Sequence, residues 1–414
     1  MTIHFDLSPE QQKLKVDARN FARVHLEPRV HRIRTASGPG AAAAVMQEAH
    51  QAAVQEFGII KRIAPPEFGG TAIGGVDAAV MWEELATVMP EIFDSFAGLM
   101  LVLGPIMKAG TPEQHQRLLA PLLNGSTPAP VAAMALSEPG GTANFDAPPP
   151  APGLQTTAVR DGDEWVITGD KEWGAHLGGW DGNGPDLMIV ICRTPAGISL
   201  IAIERKQLAP DNFTVVEHHD TAGLRGTLTS RIRLDNVRVP IENLIGAEGD
   251  GPALASQTFI ASAAAVAVLA TASMRAAFDD AYRFATTETR NGPVPIIDHR
   301  VVADVLSQAK GRIEATRLIA WRAMDATATG NPNAVEWCLH AKIFGSETAV
   351  DVINQLIRVV GIQAYKRSFP IIHRLFDALA YPIFQGGNIS IRLRQLQDLL
   401  KSEEWNPLQA SGMS

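Results

Sequence analysis

The chain has 414 residues, of which 46% are hydrophobic and 19% are charged, and its formal net charge is −8 at pH 7. This size and composition are typical of a globular protein with two or three domains. The acidic balance argues against sequence-independent binding to nucleic acid, whose phosphates attract basic surfaces.

Residues 8 to about 124 have the pattern of several helices. Residues 8–11 (SPEQ) and 111–114 (TPEQ) each place an N-cap residue before a proline and an acidic residue, which is a start signal for a helix. Further helices are predicted at residues 41–57, 75–89 and 93–109. The sequence therefore predicts an N-terminal helical domain at residues 1–128.

From about residue 130 the hydrophobic period changes to the period of two that strands have. Residues 156–160 and 164–169 flank Asp161-Gly162-Asp163, and this arrangement indicates a hairpin. Further strands are predicted at residues 187–192, 198–203, 213–217 and 230–239. We predict a central antiparallel β-sheet domain at residues 129–241.

Helical periodicity returns after the predicted sheet. The long helices are predicted at residues 252–286, 297–327, 334–360 and 389–401. They define a C-terminal helical bundle domain at residues 242–414. Helices gathered at both ends of a block of strands indicate an α+β fold. No glycine-rich turn with dinucleotide spacing follows a strand, so we expect no Rossmann-type site.

The cysteines and the apolar segments indicate a cytoplasmic protein. Cys192 and Cys338 are far apart, and we expect both to be buried apolar side chains without a disulfide or a metal. Residues 253–272 are rich in alanine, serine and threonine, which is typical of a helix inside a bundle and not of a membrane span. The first residues lack the basic and then apolar run of a signal peptide.

Three motifs occur in order along the chain. They are residues 134–144 (MALSEPGGTAN), residues 169–173 (GDKEW) and residues 381–388 (YPIFQGGN). Together with the helix–strand–helix order, they resemble the acyl-CoA dehydrogenase superfamily over nearly the whole chain, and within it the nitroalkane oxidase branch. The resemblance implies FAD bound without a covalent link, a homotetramer, and a substrate buried between the sheet and the C-terminal helices.

A flavin ring needs an apolar or aromatic wall and hydrogen bonds at its pyrimidine edge. Trp173, just after a strand, suits the wall. The resemblance assigns the pyrimidine edge and N5 to the Ser137 hydroxyl and to the main-chain N–H groups of Leu136, Ser137 and Ala175. The relatives carry a serine near N5 where this chain has Ala175, so that hydroxyl is missing here.

A flavin pyrophosphate needs cations. The resemblance implies that Arg290 reaches the pyrophosphate of a neighbouring subunit's FAD. It also implies that Arg358 and Gly361 belong to a second phosphate-binding loop. Residues 142–144 read Thr-Ala-Asn where the thioester enzymes have Gly-Ser-Asp, and this weakens the case for coenzyme A.

Gln385 occupies the position at which the relatives carry a carboxylate base. An amide cannot take a proton from carbon near neutral pH because it has no basic lone pair in that range. Arg392 lies seven residues later, nearly on the same face of a predicted helix. The resemblance makes Arg392 the partner of the base or of an anionic intermediate, and it carries over Ser262 as an active-site serine.

Three interpretations of Gln385 remain open. It is native in an enzyme that needs no protein base, or it is an engineered replacement of a glutamate, or the protein is a flavin-binding relative without turnover. His176, near the flavin in this resemblance, is interpreted as a loop histidine with satisfied hydrogen bonds, or alternatively as a replacement base.

The sequence thus predicts an FAD-dependent oxidoreductase that oxidises a small acidic C–H compound, with molecular oxygen as a candidate acceptor. The alternative enzyme carries out dehydrogenation or flavin-dependent oxygenation, as a monooxygenase, of an acyl or keto intermediate linked to coenzyme A or a carrier. The alternative without catalysis is a flavin-binding subunit. We expect a small-molecule substrate, and neither a nucleic acid nor a membrane as a partner.

Overall fold

The computed structural model describes residues 6–125, 127–148, 150–403 and 405–408. Helices come first along the chain, then strands, then helices again. The predicted α+β fold, with a sheet between two helical regions, is therefore confirmed. The boundaries at residues 128/129 and 241/242 stay predictions. Residues 1–5 of the segment searched for a signal peptide lie outside the described residues.

Two N-terminal helices, α1 and α7, begin at the capping residues that the sequence indicates. Ser8 Oγ accepts a hydrogen bond from Gln11 N at 3.2 Å, and Gln11 Oε1 accepts one from Ser8 N at 3.0 Å. Thr111 and Gln114 form the same pair. This reciprocal cap satisfies N–H groups that the end of a helix leaves open. The α-helices are α1 Pro9–Phe21, α2 Glu27–Arg34, α3 Pro39–Gln55, α4 Ile59–Ile63, α5 Gly75–Val88, α6 Glu91–Ala109, α7 Pro112–Gln114 and α8 Ala120–Leu123.

Within the described residues, eight strands form one sheet. They are β1 Ala132–Ala135, β2 Thr157–Asp161, β3 Glu164–Ala175, β4 Leu187–Thr194, β5 Gly197–Glu204, β6 Phe213–His218, β7 Thr229–Pro240 and β8 Leu244–Ile245. Their order is β6-β7-β3-β2-β4-β5-β8, with β1 paired to β4. The pairing is antiparallel, as predicted, except that β1 and one residue of β2 run parallel to β4.

The predicted hairpin is the β2–β3 pair. Asp161 pairs with Glu164, and Gly162 between them has φ 62°, which glycine adopts without steric cost. Long β3 then continues along β7, and bulges interrupt its register. Because β3 is long and bulged, its end, Ala175, projects beyond the body of the hairpin.

Long helices form the C-terminal domain. They are α9 Gly251–Thr287, α10 Arg300–Ala328, α11 Ala334–Val360, α12 Pro370–Leu379 and α13 Leu393–Leu400, and a π-helical segment, Asn388–Arg392, leads into α13. Helix α9 is the centre of this bundle, and its middle is largely buried, with alanine as the most frequent residue. A Cβ on Gly345 of α11 would lie only 3.0 Å from the Cβ of Ala267, so these two helices approach closely.

In the part of the chain that the structure describes, two helices, α6 and α9, are long and apolar enough to cross a membrane by length and composition alone. Of the most apolar window in each, 67% and 56% respectively is buried inside the protein. Core helices of soluble proteins pass the same test, so the absence of a membrane segment stays a prediction. Cys192 and Cys338 are buried and free, as expected.

An ion-pair network ties the two helical domains together. Arg275 on α9 lies 2.8 Å from a carboxylate oxygen of Glu84 and 3.0 Å from one of Glu83, both on α5. Arg19 and Arg317 bind the same two carboxylates from α1 and α10. Burial opposes ionisation of Glu84, but the hydrogen bonds from Arg275 and Arg19 prevail and lower its pKa to about 2.

Candidate functional site

A left-handed turn carries Gln385. It follows α12, and two consecutive residues in it have positive φ, Gln385 at 52° and Gly386 at 79°. Positive φ at a glutamine is uncommon and marks a constrained position. A Cβ on Gly386 would lie 2.7 Å from Arg392 Nε, so only glycine permits the arginine to approach here. The turn thus holds Gln385 in a fixed backbone conformation, with its side chain half-buried.

Arg392 holds the main chain of this turn. Its Nε and Nη2 donate to the main-chain oxygen of Gln385 at 3.2 and 2.6 Å, and Nη2 also donates to Phe259 O at 2.8 Å. The expectation that both residues share one helix face is wrong, because Gln385 precedes the helical segment Asn388–Arg392 and the guanidinium reaches back to the Gln385 carbonyl. Burial lowers the pKa of Arg392 to about 10, so it is still a cation near neutral pH.

Ser262, in the middle of α9, contacts the Gln385 side chain directly. Its Oγ donates to Gln385 Oε1 at 2.9 Å. The Gln385 amide nitrogen has no hydrogen-bond partner among the described residues. The structure therefore brings together all three residues predicted to be catalytic.

Lys342 of α11 is a further cation at the turn, which the sequence reasoning missed. It is fully buried, and its Nζ donates to Tyr381 O and, at 3.3 Å, to Asn388 Oδ1. It thus joins the two ends of the turn that carries Gln385. Burial and the positive charge of Arg392 lower the pKa of Lys342 to about 7. The sequence does contain a signal for Lys342: it is a lysine on a helix face that apolar and small residues otherwise occupy.

The first two motifs meet in one buried ion pair. Lys171 Nζ lies 3.0 Å from Glu138 Oε1 and also donates to Leu136 O at 3.1 Å. Glu138 in turn accepts from the main-chain nitrogens of Gln155 and Thr156 at 2.6 and 2.8 Å. The pair therefore fixes the loop after β1 against β3. The two motifs carry the family resemblance, but neither motif alone indicates that Lys171 and Glu138 form a pair.

The residues predicted to contact a flavin ring lie beside this pair. Glu172 N donates to Ser137 O at 2.9 Å, so the Ser137 loop runs alongside the end of β3. Trp173 has φ 67° and exposes 57% of its surface. One face of its ring stacks on His219 at 4.3 Å. Ala175 ends β3 and pairs with Thr229. A supported aromatic face beside polar main-chain groups fits the needs of a flavin ring.

His176 does not have the satisfied hydrogen bonds that the sequence analysis expected. It is fully buried with φ 57°, and it packs against Trp180 at 4.4 Å between ring centroids. Neither ring nitrogen has a partner among the described residues. Its ring packs against the indole of Trp180, which offers no partner to the ring nitrogens in this tilted arrangement. Burial lowers its pKa to about 4, so it is neutral near pH 7.

Arg394 of α13 connects the sheet domain to the helices of the site. Its Nη2 donates to Ala143 O at 2.6 Å, and its Nη1 donates to Asn144 Oδ1 at 3.3 Å. Ala143 and Asn144 belong to the first motif, whereas Arg394 lies two residues after Arg392. The sequence does not predict this contact, because neither the first motif nor the segment around Arg394 indicates that the other lies next to it.

Arg290 and Gly361 form a second group. Arg290 Nη2 donates to Val360 O, and its guanidinium lies 5.2 Å from the Phe284 ring centroid. Gly361 has φ 67°, and exposed Arg358 lies on the last turn of α11 just before it. Among the described residues, no hydrogen bond or ring contact joins this group to Trp173 or Gln385. Within one chain, the predicted phosphate-binding residues and the predicted ring-binding residues thus form two groups that share no such contact.

Three family models match consecutive parts of the chain. They describe the acyl-CoA dehydrogenase N-terminal domain at residues 8–126, the middle domain at residues 133–237 and the C-terminal domain at residues 249–399.

Individual relatives match nearly the whole chain. Nitroalkane oxidase from Podospora anserina is 37% identical, over 97% of this chain and 96% of its own length. Nitroalkane oxidase from Fusarium oxysporum is 32% identical, over 99% and 97%. A solved nitroalkane oxidase structure, an active-site aspartate-to-asparagine mutant crystallised with 1-nitrooctane, has a TM-score of 0.92 and 30% identity and covers 100% of both chains.

Proposed function

Because the chain belongs to the acyl-CoA dehydrogenase family and is a flavin-dependent oxidoreductase, we propose that it is an FAD-dependent oxidase that acts on a small acidic C–H compound of the nitroalkane type. The observation that carries this proposal is the group of Gln385, Ser262 and Arg392, in which a hydroxyl and a buried cation converge on one residue. Its substrate is a free small molecule, and its electron acceptor is molecular oxygen.

The first group of residues suits the flavin ring. Trp173 would form the wall, with its other face already supported by His219. The Ser137 hydroxyl and the main-chain N–H groups of Leu136, Ser137 and Ala175 would bind the pyrimidine edge and N5. The bound flavin supplies an acceptor for two electrons from the substrate carbon. The protein supplies the orientation, because the Lys171–Glu138 pair fixes the loop that carries Ser137.

The second group suits the pyrophosphate of a different copy. Arg290 and Arg358 are cations near the end of α11, and Gly361 leaves the main chain open beside them. Two large side chains in the turn after Gly361 are highly exposed, Ile362 at 76% and Tyr365 at 82%. A neighbouring subunit would cover such apolar surface. These features support a homotetramer in which each FAD contacts two subunits. The protein is proposed to be cytoplasmic.

The contact of Arg394 with Ala143 and Asn144 favours a free substrate over one linked to coenzyme A or a carrier. It spans the edge between the first motif and the C-terminal helices. A substrate buried between the sheet and those helices would need a gap at this edge to extend a long carrier arm outwards. The alternative is dehydrogenation or oxygenation of a carrier-linked acyl or keto compound. The experiment must distinguish this alternative from oxidation of a free small molecule.

Anaerobic flavin bleaching tests the proposal. Purified protein is mixed without oxygen with 1-nitrohexane, with its separately prepared nitronate, and with a short acyl-CoA. We expect at least one form of the nitro compound to bleach the flavin, and oxygen to restore the colour with about one peroxide per flavin. Bleaching by the thioester alone, without peroxide on reoxidation, would show a dehydrogenase instead.

A further inference from the structure

Two buried basic side chains, Arg392 and Lys342, hold the turn that carries Gln385, and among the described residues neither forms a hydrogen bond with a carboxylate. Arg392 is 1% exposed and Lys342 is fully buried. Every hydrogen bond that either makes among the described residues goes to a carbonyl or amide oxygen. The acid beside Lys342 is Glu347, and it accepts its hydrogen bond from Asn388 Nδ2 at 2.8 Å and not from the ammonium group.

Two buried cations with neutral partners form an unusual arrangement. Removing a charge from water costs several kcal/mol unless an opposite charge is close, so buried charges in proteins are normally paired. Burial and repulsion from Arg392 lower the pKa of Lys342 to about 7, so the Lys342 side chain is only partly protonated near neutral pH. An anion at the turn would offset both effects.

Gln385 provides a hydrogen-bond donor for such an anion. Its Oε1 already accepts from Ser262 Oγ at 2.9 Å, so its unpartnered Nε2 N–H groups are the part of the amide that can bind a ligand. A carboxylate in the same place would neutralise the two cations and repel an anion. An amide of nearly the same shape leaves the positive potential in place and accepts no proton.

We infer that this site selects its carbon acid in the ionised form, the nitronate of a nitroalkane, and not the neutral compound. This inference rests on the proposed function. The C–H bond breaks in solution, where water or buffer takes the proton and the electron pair is delocalised onto the nitro oxygens. The anion then binds with its oxygens towards the amide N–H groups of Gln385, within the field of Arg392 and Lys342. No side chain at the turn removes a proton from carbon.

The two forms can be compared directly, because nitroalkanes exchange their carbon proton slowly with water. Preformed 1-nitrohexane nitronate and neutral 1-nitrohexane are each mixed without oxygen with the protein near neutral pH, and flavin bleaching is followed. We expect the nitronate to bleach the flavin about 10²-fold faster or more, since the neutral form lacks a base worth about 10²–10⁴-fold in rate. Equal rates, or a faster neutral form, would overturn the inference but leave the oxidase proposal standing. Bleaching by neither form would overturn both.

The variant Gln385→Glu should reverse the preference between the two forms of the substrate. The new carboxylate should accelerate bleaching by neutral 1-nitrohexane by about 10²–10⁴-fold and slow bleaching by the nitronate, because like charges repel. If the preference for the nitronate persists unchanged in this variant, the charge at residue 385 does not select the substrate form.

Lys342→Met tests the second cation, with Lys206→Met, a lysine whose side chain is 69% exposed on the sheet domain, as the matched control. The concentration of nitronate that gives half-maximal bleaching should rise about tenfold or more in Lys342→Met, as for about 1.4 kcal/mol of lost binding, and stay unchanged in Lys206→Met. If Lys342→Met raises the half-maximal concentration of neutral 1-nitrohexane by the same factor, Lys342 only supports the structure of the turn and does not select the anion. Circular dichroism and flavin content establish that each variant is folded.

Discussion

Arg394 Nη2 lies 2.6 Å from the main-chain oxygen of Ala143, and this hydrogen bond joins helix α13 to the loop after β1. Both partners belong to segments that the site depends on: the loop carries Ser137 and the helix follows Arg392. The relative position of the predicted ring-binding residues and Gln385 is therefore fixed by a contact between two domains.

Arg394→Ala should loosen this connection without unfolding either domain. A hydrogen bond from a charged group contributes about 1.5–3 kcal/mol, and less where water competes at an exposed arginine. We expect KM for the nitronate to rise up to about tenfold, with a smaller change in kcat. Arg394→Lys, which retains the charge, should lose less. A KM that does not change in Arg394→Ala would show that the contact has no role in substrate binding.

Arg290→Ala should weaken retention of FAD. The pyrophosphate would lose a charge-assisted hydrogen bond worth about 1.5–3 kcal/mol, so the dissociation constant should rise about 10- to 100-fold. Flavin fluorescence in the filtrate of diluted protein measures this. Arg300→Ala, which removes an arginine with a 93% exposed side chain from α10, is the control. Equal FAD retention in both variants would contradict the assignment of Arg290.

Lys171→Met should destabilise the sheet domain and the loop that carries Ser137. It leaves the Glu138 carboxylate buried without its counter-charge, which typically costs about 3–5 kcal/mol. Urea unfolding followed by tryptophan fluorescence measures the free energy of unfolding. Adding Glu138→Gln should recover part of the loss, because the buried charge is then gone. A double variant no more stable than Lys171→Met would argue against charge as the cause.

Asp94 of α6 should make the protein less stable at alkaline pH. Burial and the nearby Glu91 carboxyl raise the pKa of Asp94 to about 8, far above its usual value of 3.8. The folded state then holds a proton that the unfolded chain releases near pH 4. This contribution to stability is complete below pH 4 and is lost as pH rises towards 8. Asp94→Asn should show a smaller fall in the free energy of unfolding between pH 5 and pH 8.5. Equal slopes in the two proteins would contradict the raised pKa.

Local signals were sufficient for much of the fold. In each of the capping pairs, Ser8–Gln11 and Thr111–Gln114, the two partners are close neighbours in the sequence. The hairpin around Gly162 likewise depends on one turn. Strand β1 was not predicted, because its four residues are all buried and show no alternation of apolar and polar residues. Periodicity alone cannot distinguish such a short apolar run from a buried helix.

Three members of the candidate site were predicted from the sequence, but Lys342 and the contacts between the members were not. Gln385, Ser262 and Arg392 are brought together as the resemblance implied. However, the partner of Arg392 is a carbonyl group, because the chain turns sharply at Gly386 before the helix begins. Lys342 and Arg394 reach residues 39 and 251 positions away in the chain, respectively. Contacts over such distances depend on how helices and sheet pack, which no local pattern encodes.

The separation of Arg290 and Gly361 from Trp173 within one chain has a practical consequence. In the proposed tetramer, each flavin is held partly by one subunit and partly by the next. Colour would then depend on protein concentration: diluting the sample below the concentration at which subunits part should release FAD, and reconcentrating it with added FAD should restore the yellow protein. A purification that passes through a dilute step would thus yield colourless, inactive protein whose chains are still folded.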